Sequence, residues 1–339
     1  TLGGPVHFFG IPVEFILFAL TLLGVALFHN QTLYVALAGL AAITLYKLGF
    51  AGFKFGDGLP GLAGHMAHEW VILANLFCLL MGFALLSRHF EESKVPDVMP
   101  NYLPDDWKGG LLLLVVVFVL SSFLDNIAAA LIGGTMARHV FRGKVHIGYL
   151  AAIVAASNAG GSGSVVGDTT TTMMWIVGVS PLAVLHAYAG AAVALVVCGV
   201  PAALQQHKHS PIMQYEPGGA QVDWTRVGIV AFILVTAIAA NVFVNVLHAE
   251  VAERFPFIGA AVVLAGLVSA PLRKPEWSLL PEATKGTIFL LALVTSASLM
   301  PVEALPPASW HSAFGLGFIS AVFDNIPLTA LALKQGGFD

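Results

Sequence analysis

The sequence predicts an all-α polytopic membrane protein that contains two inverted-topology repeats. Of its 339 residues, 58% are hydrophobic and only 10% are charged, with a mean hydropathy of +0.86. Soluble globular domains carry about 25% charged residues. Apolar segments recur along the chain at close to the roughly 20 residues that a helix needs to cross a bilayer. An Asp-Asn-Ile motif also occurs twice, 199 residues apart, and such internal symmetry is typical of secondary transporters.

Seven apolar segments are predicted to be membrane-spanning helices. Tryptophans lie at or just outside several of their ends, as expected for side chains that anchor a helix at the membrane interface. The two cysteines, Cys78 and Cys198, lie inside apolar runs, so no disulfide framework is expected. The seven segments are residues 12–28, 32–48, 70–87, 182–204, 227–247, 257–272 and 287–300.

Two further segments carry the repeated motif. Residues 110–134 read "FVLSSFLDNIAAALI" around Asp125 and Asn126, and residues 312–333 read "FISAVFDNIPLTALA" around Asp324 and Asn325. Each segment is either one span or a re-entrant hairpin, the first over about 110–136. The hairpin is favoured because an acid and an amide suit a tip better than the middle of a helix.

The distribution of Lys and Arg slightly favours the hairpin. With a hairpin, each repeat has five crossings, which inverts the second repeat. The basic residues then divide 11 to 4 between the two sides, against 10 to 5 for a full span. The larger set marks the cytoplasm, so we expect the N-terminus outside and the first hairpin opening from the cytoplasm. The 11 are Arg88, Lys94, Lys108, Arg138, Arg142, Lys144, Lys208, Arg226, Arg273, Lys274 and Lys285, and the 4 are Lys47, Lys54, Arg254 and Lys334.

The third unusual segment, residues 147–178, is predicted to be a broken helix. It contains "SNAGGSGSVVGDTTTTMMWIVG" from Ser157 to Gly178, and each glycine costs a helix about 1 kcal/mol relative to alanine. Asp168 followed by Thr169 is typical of an N-cap that restarts the helix. In the alternative interpretation, Gly160, Gly163 and Gly167 only permit close helix packing, which leaves the adjacent acid and threonines unexplained.

The tips and the break hold the polar groups that could bind an ion. Asp125, Asp168 and Asp324 are the acids deepest in apolar sequence, and intramembrane acids usually mark ion or proton paths. Asp125 and Asp324 could alternatively serve only as caps of the second half-helices. Neutral oxygens that suit a hard cation lie beside the acids, at Asn126, Asn158, Asn325 and the four threonines from Thr169 to Thr172. We expect only one or two of these hydroxyls to face the site.

The repeats define the predicted domain organisation. Residues 1–205 form the first repeat, 206–225 a connecting loop and 226–339 the second repeat. If the repeats are equal, the second lacks its broken helix and roughly 60 to 70 residues, so we expect it to be incomplete.

These motifs resemble the ion transporter superfamily. "LDNIAAALIGG", "SNAGGSGSVVGDTTTTMMWI" and "FDNIPLTALAL" are most similar to NhaD-type sodium/proton antiporters, with citrate and arsenite carriers as more distant relatives. The resemblance implies inverted repeats with re-entrant hairpins and broken helices. It also implies ion-binding roles for Asp125, Asn126, Ser157, Asn158, Asp168, Thr169, Asp324 and Asn325.

The leading functional hypothesis is exchange of a monovalent cation, Na⁺ or Li⁺, for protons by alternating access. The alternatives are a Na⁺-coupled carrier of citrate or another carboxylate, and a non-transporting membrane subunit of a larger complex. No Ser/His/Asp or Cys/His constellation indicates an enzyme, no resident cofactor is expected, and no basic patch indicates nucleic acid. We expect an integral protein of the bacterial inner (plasma) membrane, in contact with lipid, monovalent cations and protons, and forming a homodimer.

Overall fold

Helices make up nearly all of the regular structure in the computed structural model. The structure describes residues 6–98, 102–123, 126–165, 168–212, 221–241, 243–244, 251, 254–305, 307, 309–320 and 325–336. A two-stranded antiparallel ribbon, β1 (His7–Phe8) and β2 (Ile11–Pro12), precedes the first helix. The predicted all-α class is therefore confirmed, apart from this short ribbon.

The described helices are named in chain order. They are α1 (Val13–Leu27), α2 (Thr32–Tyr46), α3 (Gly58–Glu92), α4 (Val95–Val98), α5 (Trp107–Ser121), α6 (Asn126–Val140), α7 (Ile147–Ser162), α8 (Thr169–Ile176), α9 (Pro181–Leu185), α10 (Ala187–His209), α11 (Trp224–Asn241), α12 (Phe257–Ser269), α13 (Leu280–Ser298), α14 (Trp310–Ser320) and α15 (Asn325–Gln335). A π-turn, Lys47–Ala51, continues α2, and short 3₁₀ turns occupy Trp277–Leu279 and Val302–Ala304.

Several of these helices are long and apolar enough to cross a membrane. By length and composition, four described segments qualify: Thr32–Ala51, Gly58–Glu92, Pro181–His209 and Trp277–Ser298. Four other apolar helices, α1, α5, α11 and α12, are shorter. Helix α3 is much longer than the predicted span of residues 70–87, since 35 residues extend about 52 Å and the hydrocarbon core is about 30 Å thick.

The chain divides into two units. Unit 1 comprises Thr1–Phe77, Glu253–Pro256 and Pro281–Asp339, and unit 2 comprises Cys78–Ala252 and Phe257–Leu280. In unit 1, α1 packs on α2, where Gly39 lies directly against the Thr21 side chain. This division differs from the predicted repeat boundaries, which stay a prediction.

The core of unit 2 is formed by α5, α6, α7 and α10. Helices α5 and α6 contact each other, and both contact α7. Leu113, Val117 and Ile153 are fully buried between them. A Cβ on Gly133 of α6 would lie 2.4 Å from the Val117 side chain of α5, so this glycine lets the two helices approach closely. The segment of residues 110–134 is thus two packed helices separated at the Asp-Asn motif.

Ionic contacts join the start of α11 to its neighbours in unit 2. The Asp223 carboxylate accepts hydrogen bonds from the backbone N–H groups of Thr225 and Arg226 at 3.1 and 3.3 Å, which caps α11. Arg273 Nε donates to the same carboxylate at 2.8 Å, and this hydrogen bond lowers the pKa of Asp223. Arg226 Nη1 lies 2.7 Å from Glu92 Oε2 at the end of α3.

Candidate functional site

The predicted break in the helix is present between α7 and α8. Helix α7 ends at Ser162, and Gly163 follows with φ −101° and ψ 0°. Asp168, extended at φ −146° and ψ 145°, occupies the N-cap position of α8. A broken helix leaves carbonyls at the end of one half and N–H groups at the start of the other without helical partners. Gly167 lies outside the described residues.

The glycines before the break also permit close packing. A Cβ on Gly160 would lie 2.0 Å from the carbonyl oxygen of Phe118 in α5, and one on Gly163 would lie 2.5 Å from the Tyr188 ring in α10. The interpretation of these glycines as packing residues is therefore correct for Gly160 and Gly163. It does not exclude the break, because both features occur in the same segment.

Hydrogen bonds of the threonine run stabilise the restart of the helix. The Thr170 hydroxyl donates to the Asp168 carboxylate. The Thr171 hydroxyl, which is buried, donates to the carbonyls of Ser164 at 2.6 Å and Asp168 at 2.9 Å. As predicted, not every threonine faces a site, since Thr171 bonds backward. Thr169 begins α8, and its side chain lies outside the described part of the chain.

Two predicted site residues from different helices meet directly. Asn126, the first residue of α6, donates from Nδ2 to Oδ1 of Asn158 in α7 at 2.8 Å. Asn158 in turn donates from Nδ2 to the carbonyl of Val154 at 3.0 Å. Asn126 therefore joins the start of α6 to the end of α7 that precedes the break. Asp125 lies outside the described residues.

The sequence reasoning missed a group of side chains that joins the end of α5 to the end of α7. Ser121 donates to the carbonyl of Ser157, and Ser122 donates to that of Gly160 at 3.1 Å. Ser164 donates to the carbonyl of Ser122. Tyr188 of α10 donates to the Ser122 hydroxyl at 2.7 Å. Two serines immediately before "FLDN" at the end of an apolar helix were the signal that could have identified this contact.

The resulting cluster is rich in oxygen. Its named groups are hydroxyls, carbonyls, carboxamides and one carboxylate, and none is a basic side chain. The C-terminal ends of α5 and α7 both contribute, and helix C-termini carry partial negative charge that favours a cation. The predicted site residue Ser157 is buried and donates its hydroxyl to the carbonyl of Val154 at 2.8 Å. Oxygen donors of this kind are the ligands that hard cations prefer.

The second Asp-Asn motif repeats the helix boundaries of the first. Helix α5 ends at Ser121 and α6 begins at Asn126, while α14 ends at Ser320 and α15 begins at Asn325. Each of the two boundaries in the second motif lies 199 residues after the corresponding boundary in the first. Asp324 lies outside the described residues. Asn325 belongs to unit 1, whereas Asn126 belongs to unit 2.

Acidic and histidine side chains do not form a metal cluster in the part of the chain that the structure describes. No group of three or more His, Cys, Asp or Glu residues there could hold a metal ion. This observation does not cover Asp125 or Asp324.

Comparisons with known proteins place this chain among transporters. Residues 8–335 match the profile of the citrate transporter family (CitMHS). Over 248 residues the chain is 25% identical to sodium/proton antiporter 1 of Arabidopsis thaliana, covering 64% of this chain and 42% of that protein. Over 261 residues it is 24% identical to sodium/proton antiporter 2 of the same plant, covering 67% and 60%. The chain thus spans about two fifths to three fifths of these relatives. No solved structure matches it.

Proposed function

The chain belongs to the citrate transporter family, and we propose that it is a secondary active transporter that exchanges a monovalent cation, in the first instance Na⁺, for protons. The observation that carries this proposal is the oxygen-rich cluster at the broken helix. Its carbonyls, hydroxyls and carboxamides suit a cation, and no basic side chain is among its named groups. The sodium/proton antiporters that match the chain support the same activity.

In this proposal, the cation binds where the end of α7 meets the start of α6. Asn126, Asn158 and the backbone carbonyls of the last turn of α7 supply oxygen, while Asp168 and Thr169 complete or cap the site. Asp125 and Asp324 alternately hold a proton or a metal cation, so that the same carboxylates serve both ions in turn. Alternating access then comes from movement of one repeat against the other.

The lengths of the helices support a re-entrant hairpin. Helices α5 and α6 contain 15 residues each, which corresponds to about 22 Å, less than the roughly 30 Å of hydrocarbon. Because they pack on each other, we propose that they enter and leave the membrane from one side, the cytoplasm, with the N-terminus outside. The shared 199-residue offset of the helix boundaries supports an inverted repeat. The bacterial inner membrane and the homodimer are parts of the same proposal.

A Na⁺-coupled carrier of citrate or another carboxylate is the second candidate. The family that the chain matches is described as a citrate transporter. The N-termini of α6 and α8 lie at the Asp-Asn motif and the break, and a helix N-terminus attracts a carboxylate. The absence of basic side chains among the named groups of the cluster weighs against a multiply charged anion as the sole ligand.

Proton flux in proteoliposomes that contain the full-length protein distinguishes cation/proton exchange from Na⁺-coupled carboxylate transport. A pH gradient is imposed, and Na⁺, Li⁺ and K⁺ are added in turn, followed by citrate with Na⁺. We expect Na⁺ or Li⁺ alone to dissipate the gradient and Asp125→Asn to prevent it. A response that needs citrate would identify a carboxylate carrier, and no response to any addition would indicate a non-transporting subunit.

Asparagine variants test the site itself. Loss of one ligand contact worth about 1.4 kcal/mol weakens affinity about tenfold, so Asn158→Ala should raise the half-saturating Na⁺ concentration by about that factor. Asn30→Ala is the matched control, because Asn30 is an exposed asparagine between α1 and α2. Equal Na⁺ dependence in both variants would exclude Asn158 from the site.

A further inference from the structure

Unit 1 contains a cavity whose polar wall the proposed ion site does not use. Its volume is about 470 Å³, many times the space that one water molecule needs. The start of α1, the π-turn after α2, the first turns of α3, the end of α13 and the end of α15 form its wall. The charged and titratable side chains that line it are His7, Glu14, Lys47, Lys54, His65, His68, Glu69, Glu303 and Lys334.

Glu14 differs from the other acids of this cavity. Its side chain is 2% exposed, in the first turn of α1. One carboxylate oxygen, Oε2, has no hydrogen-bond partner among the described residues. Buried polar atoms almost always have a partner in the protein or in ordered water, and acids within a membrane usually face a cavity and mark ion or proton paths. This orphan oxygen therefore indicates that Glu14 serves something that enters the cavity.

Three of the other charged or titratable groups of the cavity have partners in place. Lys334 forms an ion pair with Glu69, which is buried. His65 Nε2 lies 2.9 Å from the Ser298 hydroxyl. Glu69 is paired and Glu303 is exposed to solvent, so Glu14 is the acid of this wall that is buried with an unpaired oxygen in the described structure.

Lys47 completes the environment of Glu14. Its ammonium is buried, interacts electrostatically with Glu14 and Glu303, and lies 5.6 Å from the centre of the Phe53 ring. Glu14 and Lys47 do not form an ion pair within 4 Å in the described structure, although both line the same cavity. A metal cation bound at Glu14 would be repelled by the Lys47 ammonium. A proton on Glu14 removes the negative charge of its carboxylate, and Lys47 keeps its electrostatic interaction with Glu303.

We propose that Glu14 is a proton-exchanging carboxyl that connects this cavity to the proton steps of transport. The inference rests on the proposed cation/proton exchange. A hydronium ion in the cavity gives its proton to Glu14 Oε2, so that one O–H bond forms as another breaks and a neutral water is left. Release is the reverse transfer to water. Glu14 is a proton carrier in this scheme, separate from the cation ligands at the broken helix.

Two transport modes separate this role from a structural one. Na⁺/H⁺ exchange needs proton uptake and release, whereas exchange of ²²Na⁺ for unlabelled Na⁺ needs neither. In proteoliposomes of the full-length protein, Glu14→Gln should lower Na⁺/H⁺ exchange at least tenfold and leave Na⁺/Na⁺ exchange within about twofold of wild type. Glu14→Asp, which keeps a carboxyl, should restore much of the proton-coupled rate. Glu282→Gln is the matched control, because Glu282 is an exposed acid in the first turn of α13, and both rates should be unchanged.

Three results would overturn the proposal. Equal losses of both exchange modes in Glu14→Gln would indicate a structural role for this carboxylate near a helix N-terminus. Wild-type rates in both modes would show that Glu14 carries no proton. Both outcomes leave cation/proton exchange standing in the wild-type protein. Absence of Na⁺-driven proton flux in the wild type would instead reject the proposed function together with this inference.

Discussion

Substitution of Gly160 by alanine is the most direct test of how α5 and α7 fit together. An added Cβ would lie 2.0 Å from the carbonyl oxygen of Phe118, 2.8 Å from its carbonyl carbon and 2.9 Å from its Cα. All three atoms belong to the backbone, so no side-chain rotation can relieve the contact. One of the two helices must move.

The expected cost follows from three contributions. Overpacking of a well-packed interior costs about 1–3 kcal/mol. Movement of either helix also weakens the hydrogen bond that Ser122 donates to the Gly160 carbonyl at 3.1 Å, which is worth about 0.5–1.5 kcal/mol. Alanine also stabilises a helix by about 1 kcal/mol relative to glycine, which offsets part of this cost. The free energy of unfolding should therefore fall by about 2 kcal/mol.

Gly134→Ala is the matched control, because Gly134 lies inside α6 and an added Cβ there would meet nothing within 4 Å. This variant should be neutral or gain up to about 1 kcal/mol. Thermal unfolding of purified protein measures the difference, and Na⁺-dependent proton flux measures its effect on the site. If Gly160→Ala melted at the same temperature as Gly134→Ala and kept full flux, the close contact between α5 and α7 would be refuted.

Two further predictions concern single polar contacts. Thr171→Val keeps the side-chain volume but removes a hydroxyl whose one proton is shared between two backbone carbonyls. It should lower the free energy of unfolding by about 1–2 kcal/mol, because buried acceptors lose their donor. Thr135→Val, at an exposed site with a bond to the carbonyl four residues earlier, should change it much less. Arg273 lowers the pKa of Asp223, so the stability from this contact is present above the ordinary carboxyl pKa and is lost as the pH falls through the lowered value. Melting temperatures recorded from neutral pH to below about pH 4 should therefore fall less steeply in Arg273→Gln than in wild type.

The local features of the site could be predicted because they depend on neighbours in sequence. The glycines after Asn158 predicted the end of a helix, and Asp168 followed by threonines predicted its restart. The structure confirms both, with the end of α7 at Ser162 and the start of α8 at Thr169. Asp168 occupies the N-cap position without a side-chain capping bond to the backbone, and its carboxylate accepts from the Thr170 hydroxyl instead. Glycine propensity and the preference for Asp at this position act within one turn of helix, so no knowledge of the rest of the fold was needed.

The contacts between helices could not be predicted in the same way. The bond from Ser121 to the carbonyl of Ser157 joins residues that are 36 positions apart, and nothing in either segment specifies that partner. The extent of α3 was also missed, because hydropathy reports the stretch that matches the hydrocarbon core and not where a helix begins. Pro60 lies in the first turn of that helix, where a missing N–H leaves no helical hydrogen bond unmade.

The oxygen cluster also constrains the carboxylate hypothesis. Each helix N-terminus supplies roughly half a positive charge, so α6 and α8 together supply about one. A citrate trianion brings three negative charges next to Asp168 and the C-terminal ends of α5 and α7, and the named groups of the cluster include no Lys or Arg to balance them. A carboxylate could therefore bind there only with cations that occupy the carbonyl and carboxamide oxygens around Asn158. Cation binding at the break is thus the step that both functional hypotheses share, and the antiporter hypothesis needs nothing beyond it except a proton.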